Sequence, residues 1–340
     1  RAIIDRLRGS PEASIETAPL LGAAREGSIP GRIECFANAQ RLMAALQEDV
    51  DEETRRALEL IGLTRLSWVH ATMDLGEGEE LDMHLRMALP GEGYLEDWLA
   101  ALGPLPRHLA ALGPASSTQA ALYNVDLFAI YESVWDLVAD LDPAAYEEAR
   151  AALESGLQTI GDLDLEGDFL AQLTGEVASF SVPVPEEEFT ALNRLMGMAG
   201  AEDIPEALRV GDVYVIGLED ASAVELFLEN ALDSLGAMFG LSAASIESED
   251  FQGFSIQSLE LPMGFGLHWC FTDDCVAGSL FPSALRATLA LQGQEDAPNL
   301  FTNEHFGPHI ERHAQASVLA LAPSAGAVRM MLSLLGMASG

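Results

Sequence analysis

Four passages of this chain change their hydrophobic period in the same way. In each, a short apolar run with strand spacing ends at Asn, Asp or Ser, and apolar residues at helical spacing follow. They are Ile33 to Leu46 switching at Asn38, Leu122 to Leu141 at Asp126, Val213 to Leu235 at Asp220, and Val318 to Leu335 at Ser324. A short polar side chain at such a switch accepts from the unpaired amides of the first helical turn, so all four are read as helix caps.

The pattern between these passages predicts further elements. A hairpin is expected over 64–74 and 80–89, turning at Gly76-Glu77-Gly78; its second arm alternates Leu81, Met83, Leu85 and Met87 with Asp82, His84, Arg86 and Ala88. That alternation predicts one packed apolar face and one wet polar face. Leu127, Ile130, Tyr131, Val134, Trp135 and Val138 mark a helix over 127–141, and Asp142-Pro143 opens another running to Leu157. Strands are expected near 119–125, 176–184, 211–218 and 315–321, with a meander over 246–280 and helices over 186–198, 221–239 and 282–292. Helices mixed with hairpin-linked strands predict an α+β fold of repeated strand-helix units on twisted, largely antiparallel sheets.

A length of 340 residues suits two domains or one duplicated body. The Pro and acidic residues of Gly200 to Ala207 mark the expected boundary. Residues 1–30 then form an irregular N-terminal approach, 31–200 a first α+β half and 201–340 a second. The chain begins at Arg1 and stops at Gly340 just after an apolar helical run, so truncation at both ends is expected, with any signal peptide or anchor outside it. No run approaches the roughly 18 apolar residues of a membrane span.

Charge narrows the possible partners. There are 54 acidic side chains against 17 basic ones, a net charge of -37, and every basic residue is Arg; Lys is absent. A nucleic acid or an anionic membrane surface needs cationic side chains to replace its counterions, and both are excluded. A divalent cation or a basic protein partner would offset the self-repulsion of such a chain. A genome rich in GC and a surface selected for solubility explain the same balance.

The candidate chemistry is sparse. Cys270 and Cys275 flank Phe271-Thr272-Asp273-Asp274. With Thr272-Asp273 as a two-residue turn the cysteines face each other at about 4.5–5.5 Å, within disulfide range, which implies an oxidising compartment. Reduced thiols or metal ligands are the alternatives. Cys35 reads as a small core residue. His305, His309 and His313 recur at spacing four, a ligand pattern for a divalent metal, although Gly307-Pro308 interrupts the helix and aligns only the last two. Asp162, Asp164, Glu166 and Gly167 open like a calcium loop, but its twelfth position is Leu173, and a capped helix start explains them as well. No nucleophile elbow or phosphate-cradling Gly loop occurs, so no catalytic or cofactor-binding residue is assigned. The methionines of Met196-Gly197-Met198 and Met330 to Met337 suit core filling or an adaptable partner surface, and the acidic runs Glu48 to Glu53, Glu77 to Asp82 and Glu186 to Glu188 read as solvated faces.

Three stretches resemble a known family. Asp162 to Val177, with its Asp168, Gly175 and Glu176, is similar to the "L-D … D-(apolar)-L-x-G-E-(apolar)" passage of bacterial domain-of-unknown-function family 3352. Ser248 to Ile256 resembles that family's "Y-x-G-(apolar)" strand, and Cys270 to Leu289 resembles its hairpin and following helix, apart from the paired cysteines. The resemblance covers roughly residues 115–292 and implies an extracytoplasmic bacterial protein, often anchored upstream, without assigned activity. Together these readings predict a non-enzymatic periplasmic or extracellular subunit of a bacterial envelope or multiprotein assembly that binds a protein partner. A binder of lipid or a small apolar ligand, and a metal-dependent hydrolase built on His305, His309 and His313, are the alternatives.

Overall fold

The structure, a computed structural model, describes residues 25, 33–47, 50–75, 81–88, 91, 93–161, 163–189, 209–239, 246–260, 266–294 and 296–322. The chain divides into two compact units, Arg1–Ala100 with Ser133–Ala144, and Ala101–Glu132 with Ala145–Gly340. All ladders among the described residues are antiparallel, and the fold is α+β.

The first unit holds β1 (Ile33–Ala37), α1 (Ala39–Gln47), α2 (Glu52–Ile61), β2 (Trp68–Leu75), β3 (Leu81–Ala88) and α3 (Tyr94–Ala100). Its sheet runs in the order β1-β2-β3. The register puts Glu34 beside Thr72 and Phe36 beside His70, which in turn faces Arg86. This face is the packed one: His70 is 1% exposed and Thr72 4%, whereas Met87 on the other face is 42% exposed. The expected packing of the second arm is therefore reversed at Met87; the side chains of Leu81 to Leu85 lie outside the described residues. Cys35 shares the outward face and is exposed, not a core residue.

A polar face can be buried when its groups are paired. Glu34 Oε1 lies 2.8 Å from His70 Nε2, and Arg25 Nε donates to the same oxygen at 2.7 Å. The hydrogen bond from Arg25 comes first among the causes that hold the Glu34 carboxyl at about 2, below its ordinary value of 4.5. A carboxyl whose folded value is depressed contributes stability that is complete above pH 4.5 and is lost as pH falls toward 2. Hydrogen exchange of residues 68–75 is expected to lose protection through that window. In Glu34→Gln the protection should already be reduced at neutral pH; identical profiles for the two proteins would contradict the pairing.

The second unit carries α4 (Arg107–Ala110), β4 (Gln119–Asn124), the start of α5 (Leu127–Leu141) and most of α6 (Pro143–Thr159). A single π-helical turn, Leu165–Phe169, leads into β5 (Leu173–Pro183), and β6 (Val210–Leu218) and α7 (Ala221–Phe239) follow. After them come β7 (Ile246–Phe251), β8 (Phe254–Glu260), β9 (Gly266–Phe271), β10 (Cys275–Ser279), α8 (Pro282–Leu289), α9 (Gly307–Arg312) and β11 (Val318–Leu321). They build an eight-stranded sheet in the order β11-β4-β5-β6-β10-β9-β8-β7. One face of it is the core. Leu122, Phe180, Val213, Val215 and Ile256 pack there with Leu109 of α4, Leu285 and Leu289 of α8 and Ile310 of α9.

The chain does not divide at Gly200 to Ala207 as the composition suggested. β5 and β6 lie on either side of that stretch and pair from Leu173 to Pro183 in one sheet, so hydrogen bonding joins what the Pro and acidic residues seemed to separate. Three of the four expected caps are formed: Asn38 accepts from Arg41 N at 3.0 Å, Asp126 from Ala129 N at 2.9 Å, and Asp220 from Ser222 N at 3.0 Å. Ser324 lies outside the described residues. The three strands that precede these caps enter different places, β1 in the small sheet and β4 and β6 apart in the large one, so what recurs is a local device.

Candidate functional site

The strands β7, β8 and β9 form one end of the large sheet, and a cleft opens on each of its faces. The first, of about 280 Å³, lies between α7 and the face turned away from the core. Val224 and Phe227 fix the helix: both are buried, and Phe227 stacks on Phe169 of the π-helical turn with centroids 5.1 Å apart. The neighbouring helix face then lines the cleft with Glu225, Leu228, Glu229, Leu232 and Asp233, opposite Ile246, Trp269 and Phe271 of the sheet. Side chains four apart on a helix are neighbours, so the three carboxylates stand in one column and repel one another. The second unit's Arg107, Arg150, Arg209 and Arg286 are each committed elsewhere, to Glu311, Glu166, Glu186 and Glu249. Among the described residues none of those lining the cleft is basic.

The second cleft, of about 320 Å³, lies on the core side beside α8 and is lined by Glu247, Glu249, Ser258, Glu260, His268 and Arg286, among others. Here a polar row crosses the sheet, Glu247 beside Ser258, Ser258 beside His268 and His268 beside Ser279. The Ser258 hydroxyl lies 2.8 Å from His268 Nδ1. Burial pushes the imidazole of His268 down from its ordinary value, which favours the neutral ring, one nitrogen a donor and the other an acceptor. A Cβ on Gly266 would stand 2.8 Å from His268 Nε2, so a larger residue there would make the ring shift. Arg286 Nη2 donates to Glu249 at 2.6 Å.

The residues singled out from the sequence fall mainly outside both clefts. His305 sits in the turn before α9; His309 and His313 stack with ring centroids 6.5 Å apart. No group of three or more His, Cys, Asp or Glu among the described residues is placed to hold a metal ion. Asp162 lies outside the described residues, while Asp164 accepts from Gly167 N at 2.8 Å and Glu166 takes Arg150 Nη1 at 2.5 Å. The would-be calcium loop is thus a capped turn with an ion pair, and the hydrogen bond from Arg150 lowers the Glu166 carboxyl. Glu188 accepts from the Ser283 hydroxyl at 2.7 Å, so one member of an acidic run does structural work. The methionine segments lie outside the described residues.

The cysteine hairpin folds two residues out of the expected register. Thr272 N donates to Cys275 O at 2.8 Å, so Asp273-Asp274 is the turn, Phe271 pairs with Val276 and Cys270 with Ala277. The Thr272 hydroxyl draws the turn there, donating to Asp274 and accepting from Cys275 N. The cysteines become diagonal neighbours, a separation of about 7–8 Å that exceeds the reach of a disulfide. Both are free and buried, and burial pushes both thiols up to about 11. Ellman's reagent is expected to titrate Cys35 alone in the native chain and all three thiols after unfolding without reductant. A single thiol after unfolding would show that Cys270 and Cys275 are joined.

The residues of the first cleft were missed in the sequence although their spacing was visible. Glu225, Glu229 and Asp233 recur every four residues on a helix that was expected, and Leu267, Trp269 and Phe271 alternate along an expected strand. What the pattern lacked was the packing of α7 through Phe227 on Phe169, distant in sequence. No helix among the described residues is long and apolar enough to cross a membrane. Comparison with protein families, curated proteins and solved structures finds no match to this chain.

Proposed function

We propose that this chain is a non-enzymatic interaction subunit of an extracytoplasmic bacterial assembly and that it docks a basic protein partner. The observation that carries this reading is the first cleft, where three carboxylates stand beside Trp269 and Phe271 and no basic side chain lines the cleft among the described residues. Carboxylates beside an aromatic wall suit cationic side chains with apolar stems, and they repel nucleic acid. The extracytoplasmic placement rests on the resemblance to family 3352, since the free thiols lend it no support.

Gentle purification from the native host tests the reading. A species larger than the 36.3 kDa chain is expected, releasing a basic protein when salt is raised. A lone chain would count against it. The apolar lining of Leu228, Leu232 and Ile246 also favours a second reading, a small apolar ligand held in the same cleft. Native mass spectrometry separates the two, because a retained small molecule and a protein partner differ in mass. A hydrolase built on His305, His309 and His313 has no supporting observation among the described residues.

A further inference from the structure

An apolar row crosses the face of the large sheet turned away from the core and leads into the first cleft. Val318 pairs with Tyr123, Tyr123 with Val177, Val177 with Ile216, Ile216 with Val276 and Val276 with Phe271, so six side chains from six strands stand side by side on one face. Phe271 belongs to both the row and the cleft. Val318 is 51% exposed, the other five are partly exposed, and Tyr214 on the same face is 55% exposed. Five steps between strands at about 4.8 Å make the row about 24 Å long. That is the length of a helix of about 16 residues.

We infer that the row and the cleft form one docking track, and that its occupant is a basic amphipathic helix of a partner protein. The helix lays its apolar stripe along Val318 to Phe271 and sets Lys or Arg side chains against Glu225, Glu229 and Asp233. The choice of occupant follows from charge. Among the described residues no basic side chain lines the carboxylate column, and an approaching cationic side chain removes the repulsion within it. A second copy of this chain, with a net charge of -37, would add to that repulsion. The apolar stripe supplies affinity, as in other grooves that take an amphipathic helix.

This inference rests on the docking reading, and its test separates the two. The intact chain is titrated with a synthetic peptide of about 16 residues carrying Leu at helical spacing and Lys on the flanks, followed by calorimetry and tryptophan fluorescence. A scrambled peptide of equal composition controls for charge alone. The ordered peptide is expected to bind at least about tenfold more tightly than the scrambled one, with Glu229→Lys and Val318→Lys each weakening it about tenfold and added salt weakening it further. Both positions are exposed, so the variants are expected to melt with the wild type; Trp269→Ala is the third variant, read by calorimetry. Equal binding of the two peptides, no binding of either, or variants that bind as the wild type would overturn the track. A basic partner that still co-purifies in that case would leave the docking reading intact.

Discussion

Gly175→Ala is expected to lose about 2–5 kcal/mol in urea denaturation, the sum of left-handed strain of about 1–2 kcal/mol and an overlap that costs about 1–3 kcal/mol to relieve. Gly175 sits at φ +81, in the stretch of β5 where the register with β6 shifts between Leu173 and Val177. A Cβ there would lie 2.4 Å from the Val125 carbonyl oxygen, and backbone cannot step aside as a side chain can. The backbone on both sides of that carbonyl is tied down, since Val125 N donates to Gly175 O and Asp126 N to Ala101 O, each at 2.8 Å. Gly253 provides the control: its φ is +90, but a Cβ there would meet nothing within 4 Å. Gly253→Ala should therefore lose only the strain, about 1 kcal/mol. Equal losses at the two positions would refute the argument from close approach.

Phe180→Ala carries the second large effect, an expected loss of about 3–5 kcal/mol. Its ring is 1% exposed in the core and covers Gly113, where a Cβ would come within 2.6 Å of it. The neighbouring residue Ser179 pairs with Tyr214, which places Tyr214 on the opposite face of the sheet, 55% exposed. Tyr214→Ala is therefore expected to change stability by less than about 1 kcal/mol. The pair measures how unequal the two faces are. A large loss at Tyr214 would mean that the second face is packed, and the docking track would have no room.

The residues behind the family resemblance acquire physical reasons. Asp164 caps a turn, Glu166 pairs with Arg150 and Gly175 takes a conformation and a space denied to other residues. A motif of this kind specifies a bend from helix to strand and leaves chemistry aside. Of its reasons only the Asp164 cap is local; the partners of Glu166 and Gly175, Arg150 and Val125, lie far away in the sequence. The caps Asn38, Asp126 and Asp220 were legible because they too are local, each acting on amides two or three residues away.

What was not legible depended on groups distant in sequence or on competition between local options. The hairpin between Cys270 and Cys275 admitted two turns, and the Thr272 hydroxyl decided between them. Alternation in the small sheet did not show that the face of His70 would be buried and that of Met87 exposed, because Arg25 and His70 both hydrogen-bond Glu34, which lies apart from them in the sequence. The break at Gly200 to Ala207 looked like a boundary because composition does not reveal that β5 and β6 pair across it. The carboxylate column was visible as a spacing, but its meaning came only with Trp269 and Phe271 opposite it.

One further property of the chain makes the docking site directly testable. It contains no Lys, so a zero-length carbodiimide cross-link between one of its carboxylates and a lysine amine can only join it to another protein. Cross-linking of the native species followed by peptide mapping is expected to find partner lysines joined to Glu225, Glu229 or Asp233 in preference to the other carboxylates of the chain. Cross-links spread over the acidic surface without preference, or concentrated away from α7, would contradict the account.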